Sequence, residues 1–135
     1  MLLEMFAALT MQPNAEPIVL RHTRPARDVV ASETSFCGDT VFEIQYSSTR
    51  EETRGTIRAR HDGRLIELEN AQTALFSKLE YVQNTVVNCG NDEVFSQVMV
   101  SGPDRLTGEF GKMFEIGYLP ATGFSEIVEI KRDRN

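Results

Sequence analysis

The chain has 135 residues, with 14 Lys and Arg against 20 Asp and Glu, so its net charge is −6. That length suits one domain with its own core, and fractions of 41% apolar and 25% charged residues are those of a folded protein. The acidic balance excludes nucleic acid as a partner attracted by overall charge. No run approaches the roughly 20 apolar residues a membrane helix needs.

From the N-terminus, Met1 to Met11 has the apolarity of a secretory signal core, but Glu4 interrupts it and no basic start precedes it. Leu2, Met5, Phe6 and Leu9 also fall at helical spacing. Residues 1–16 are therefore read as an apolar segment and linker: a signal remnant, a short amphipathic helix or a vector-derived extension. Residues 17–132 are expected to form a single globular domain, and 133–135 a frayed tail.

Within that domain, Pro17-Ile18-Val19-Leu20-Arg21-His22 reads as an edge strand behind a proline. Phe42, Ile44 and Tyr46 alternate with Glu43 and Gln45, the pattern of a half-buried strand. Thr56 to His61 alternates again, and Asp62-Gly63 is a hairpin turn signal before a return strand at Arg64 to Leu68. The period then changes. Asn70 is a candidate N-cap, and Leu75, Leu79, Val82 and Val86 follow at i, i+4, i+7 and i+11. That spacing predicts one amphipathic helix over about 71–84. Strands are expected again at Val94 to Val100, Lys112 to Tyr118 and Phe124 to Lys131.

The fold class implied is α+β: an antiparallel sheet of about six to seven strands with one central amphipathic helix packed on one face. The alternative is a β-sandwich with the helix as a plug.

The two cysteines sit in similar surroundings. Phe36-Cys37-Gly38-Asp39-Thr40-Val41-Phe42 is echoed by Asn88-Cys89-Gly90-Asn91-Asp92-Glu93-Val94-Phe95. This reads as two strands entered by similar turns, with Cys37 and Cys89 placed to bond. A stable disulfide implies an oxidising compartment, periplasmic or secreted; two free thiols would instead place the chain in the cytoplasm.

The chemistry-bearing residues are few. No P-loop, GxGxxG, nucleophile elbow, CxxC or HExxH occurs, and His22 and His61 lack zinc-ligand spacing. No catalytic residue and no cofactor is assigned. A bond between the cysteines would bring Asp39, Asp92 and Glu93 together as a candidate metal site or acid/base group. Arg58, Arg60 and Arg64 are read as one face of the Asp62-Gly63 hairpin, the candidate surface for a protein or an anionic small molecule. The leading expectation is a small exported non-enzymatic domain that binds a partner, as an inhibitor, accessory or envelope protein. The alternative is a small hydrolase-like enzyme using the carboxylates near the bridge or His61. Neither reading fixes an oligomeric state.

Overall fold

The computed structural model describes residues 29–131. The apolar segment 1–16, the strand expected at Pro17 to His22 and the tail 133–135 lie outside the described residues.

Among the described residues, eight antiparallel strands make two sheets. The first holds β1 (Val29–Cys37), β2 (Thr40–Ser48), β3 (Thr53–His61) and β4 (Arg64–Glu67), side by side in chain order. A short helix α1 (Asn70–Thr73) and a 3-10 helix (Ala74–Lys78) lead to the second sheet. It holds β5 (Asn84–Asn88), β6 (Ser96–Gly102), β7 (Lys112–Leu119) and β8 (Gly123–Ile130), again in chain order.

Alternation explains why both sheets face one core. Phe42 and Ile44 on β2, Ile57 and Ala59 on β3, Val98 and Val100 on β6, and Phe114, Ile116 and Tyr118 on β7 are all buried on the inward side. With Leu68, Leu75, Phe76 and Leu79 they form one cluster. Each Val, Leu, Ile or Phe among them stabilises the fold by about 1.5–3 kcal/mol relative to exposure. The expected single sheet of six to seven strands is therefore corrected to two four-stranded sheets sharing a core, as the sandwich alternative has it. The Asp62-Gly63 turn forms as read, with φ of +50° and +77° at its two residues.

The expected helix over 71–84 is corrected as well. Asn70 is its first residue rather than its cap; Glu69 precedes it, and the Gln72 side chain accepts the Glu69 N–H at 2.9 Å. The helical turn tightens to 3-10 at Ala74 and ends before Leu79, whose backbone is extended. The helix stops there, but the apolar stripe faces the core as far as Val82, which is half-buried against it. Leu75, Phe76 and Leu79 are buried, whereas Val86 lies on the outer side of β5 and is 41% exposed. Thr85, Val86 and Val87 explain the change, since β-branched residues fit a pleated strand better than a helix. Phe76 plugs the core against Gly55 on β3. A Cβ at Gly55 would stand 2.6 Å from the Phe76 ring and 2.8 Å from the Gln45 carbonyl, so only glycine fits.

Arg105 straps the connections together at the turn between β2 and β3. Its guanidinium donates to the carbonyls of Leu79 (3.1 Å) and Glu80 (3.0 Å) and to the Thr53 hydroxyl (2.9 Å). The Thr53 hydroxyl in turn donates to the Glu80 carbonyl at 2.9 Å. Beside it, Asp104 accepts the backbone N–H groups of Leu106 and Thr107 and pairs with Lys112 at 3.0 Å. The Lys112 ammonium first, and the Thr107 N–H next, hold the Asp104 carboxyl down at about 2.

Leu79→Ala is expected to cost roughly 2–5 kcal/mol in a urea melt, because the side chain is wholly buried; a loss under about 0.5 kcal/mol would contradict its place in the core. The Asp104 carboxyl lies below its ordinary value of 3.8, so its ionised form favours the folded chain above that pH. The stability gap between the parent chain and Asp104→Asn should be flat above about pH 5 and shrink as pH falls toward 2, read from denaturant melts across that range.

Candidate functional site

Two contacts join the edge strands of the two sheets. Cys37 ends β1 and Cys89 follows β5; they are bonded, with S–S 2.06 Å and Cα–Cα 5.3 Å. The Glu33 carboxylate on β1 accepts the Thr85 hydroxyl of β5 at 2.6 Å and the Tyr46 hydroxyl at 2.8 Å. Burial, then the Glu33 carboxylate, push the Tyr46 hydroxyl up to about 12. Both inter-sheet contacts span 52 residues. Four residues along β1 therefore match four along β5, so the two edge strands run in the same direction. This corrects one expectation: the cysteines stand at strand ends, not strand entries. Neither β1 nor β5 was legible, because the middle of β1, Ser32 to Ser35, is polar without alternation and β5 continued the apolar spacing of the helix.

The shared direction brings the first turn of each sheet to one end. There Gly38-Asp39, the 89–95 loop, the end of β3 and the end of β7 enclose a cleft of about 400 Å³. Its lining includes Asp39, Asp92 and Glu93, so the structure does bring the three acids to one place. They do not make a metal centre. Among the described residues no three His, Cys, Asp or Glu side chains are placed to hold a metal ion. The loop is held by its own hydrogen bonds: the Asn91 side-chain oxygen accepts the N–H groups of Glu93 (2.7 Å) and Val94 (2.8 Å), and the Ser96 hydroxyl accepts the Gly90 N–H (2.9 Å). That leaves the Asp92 and Glu93 carboxylates to solvent.

Deeper in the cleft, the Thr40 hydroxyl and His61 Nδ1 are hydrogen-bonded at 2.9 Å, directly opposite each other across β2 and β3. This is the spacing of a nucleophile and its base. Thr40 is only 6% exposed, however, and the third member, Asp62, stands 3.5 Å from His61 Nε2 with an 81% exposed side chain. Tyr118 also lines the cleft, its ring edge-on to Phe42 at 5.3 Å and tilted against Phe124 at 5.2 Å. Burial pushes its hydroxyl up, while the charge of Arg64 pulls it the other way. The sequence shows Tyr118 only as the last apolar position of a strand. The available signal was the hydroxyl itself, a polar handle where the phenylalanine pattern of that face would have continued.

The hairpin arginines divide. Residues opposite each other in an antiparallel pair share a face. Arg58 is paired with Glu43 on one side and Glu67 on the other, and its Nε meets the Glu67 carboxylate at 2.7 Å. Arg64 pairs with His61 and lies on the opposite face, so the expected three-arginine face does not form. Arg60 alone remains without an ion-pair partner among the described residues on the outer face. Its row is Phe36, Val41, Arg60 and Leu65, one residue from each strand. Phe36 is 72% exposed and Leu65 48%.

Removing the bond with Cys37→Ser/Cys89→Ser should cost about 4 kcal/mol in the chain-entropy account of a loop of this length. A denaturant melt against the parent chain measures it, and a loss under about 1 kcal/mol would show that the remaining contacts between β1 and β5 already carry the tie.

Comparison with protein-family models, curated proteins and solved structures gave no match.

Proposed function

We propose that this chain is a small exported, non-catalytic domain that binds a protein through the outer face of its first sheet. The observation that carries the reading is the cross-strand row of Phe36, Val41, Arg60 and Leu65 at the disulfide end. An unpaired arginine between two aliphatic side chains, with an aromatic one strand further along the row, is the composition of an interface centre, where aromatic residues and Arg are enriched. The partner it fits is an apolar surface carrying a carboxylate for Arg60. Arg58, neutralised by Glu67, belongs to the rim. The Cys37–Cys89 bond supports export, because such bonds persist in oxidising compartments. No helix among the described residues is long and apolar enough to cross a membrane.

The hydrolase-like reading draws on the Thr40–His61 pair, and it is the weaker one. The carboxylate that would orient His61, that of Asp62, stands 3.5 Å from Nε2 with an 81% exposed side chain, too long and too solvated to hold a base.

The test is photo-cross-linking in the compartment to which the chain is exported, from probes placed at Phe36 and at Leu65. Adducts should form from both positions, vanish with Arg60→Glu, and be absent from a probe at Gln97 on the second sheet. Arg60→Glu should leave the melting temperature unchanged, since Arg60 is exposed and unpaired. Equal adduct yield with and without Arg60→Glu would end the proposal.

A further inference from the structure

The cleft at the disulfide end has a chemistry that the outer face does not share. We infer that it is a binding site for an organic cation, the guanidinium of an arginine side chain on a basic peptide. Asp39 approaches from the turn between β1 and β2, and Asp92 and Glu93 from the 89–95 loop. None of these carboxylates has a partner among the described residues, and no lysine or arginine lines the cleft. Acidic turns alone are ordinary solvated structure. The second, independent observation is Tyr118. It is 2% exposed, lines the same cleft, and its hydroxyl makes no hydrogen bond among the described residues.

A buried hydroxyl without a partner is costly, and a ligand that donates to it removes the cost. The ligand must also carry positive charge for the acids at the rim. A metal ion does not suit the spacing, because no three acidic or imidazole groups converge on one point. A guanidinium does. Its five N–H donors spread over a planar fork, so one edge can reach the Tyr118 oxygen while the charge remains between Asp39 and the 92–93 carboxylates. The volume of about 400 Å³ holds the group and its stem. Arg64 lies on the same face as His61, and its charge acts on the Tyr118 hydroxyl, so it opposes the ligand. That opposition fixes the sign of one variant.

The probe is a blocked tetra-arginine peptide, titrated into the whole chain and followed by amide chemical shifts. Saturable shifts are expected at residues 38–40 and 89–96 and at Tyr118. Tyr118→Phe, which keeps the ring and the charge, should weaken binding roughly threefold to tenfold, the worth of one hydrogen bond. Asp39→Asn/Asp92→Asn/Glu93→Gln should weaken it about tenfold or more, and Arg64→Gln should tighten it. The charge-matched set Glu109→Gln/Glu115→Gln/Glu126→Gln controls for overall acidity and should change it less than about twofold. Should Tyr118→Phe lower the melting temperature, the cleft triple variant, confined to exposed side chains, carries the test. The inference is overturned by shifts spread over the surface without saturation. It is overturned equally by matching losses in the two triple variants, by weaker binding with Arg64→Gln, or by calcium alone producing the same saturable shifts.

Discussion

Neither four-stranded sheet can bury its apolar face by itself. Each presents one alternating row of large side chains, and the fold depends on those rows meeting as one layer. Phe42 from the first sheet and Tyr118 from the second touch edge-on at 5.3 Å, the favoured approach of two aromatic rings. The connection between the sheets contributes to the same layer rather than covering it. Leu75, Phe76 and Leu79 enter from the side, and the glycine at position 55 is what allows the Phe76 ring to seat. Packing of this kind is sensitive to volume, so the plug and the sheets must be considered together.

The edges tie the two sheets together as well. On one side the Cys37–Cys89 bond and the Glu33–Thr85 hydrogen bond share an offset of 52 residues and set β1 against β5 in one direction. On the other side the Gln72 side chain donates to the Ser125 carbonyl at 3.0 Å, and Ile66 on β4 packs near Gly123 of β8. With first strand on first strand and last beside last, the opening turns of both sheets must arrive at the same end. The cleft is a consequence of that alignment, not of any one loop.

The two ends of the molecule then differ in their polar accounting. At the turn between β2 and β3, Arg105 supplies donors to carbonyls that the end of the 3-10 helix leaves open, and Lys112 pairs with both Asp104 and Glu129. The buried and half-buried polar groups there, Thr53, Arg105, Asp104 and Lys112, all have partners within the chain. At the disulfide end the position is reversed: carboxylates face solvent, and a buried phenol has no partner among the described residues. The two ends therefore differ in how far the chain satisfies its own polar groups.

What the sequence by itself determined is what local physics controls. Alternation at Phe42, Ile44, Ile57, Val98, Phe114 and Ile116 marked the strands of both sheet interiors, because a period of two is set by the pleat alone. Asp62-Gly63 marked its hairpin, because positive φ is tolerated by the short polar side chain of Asp and by glycine, which has no Cβ. The echo around Cys37 and Cys89 marked the bond. Three things needed the tertiary structure. The apolar spacing from Leu75 to Val86 fits a helix until β-branched residues find strand partners on β6, and only pairing decides between them. The face of Arg64 depends on register, and a shift of one residue reverses it. The cleft joins residues from four separate turns and strand ends, and nothing local to Asp39 or Tyr118 records that the two sheets bring them to the same end.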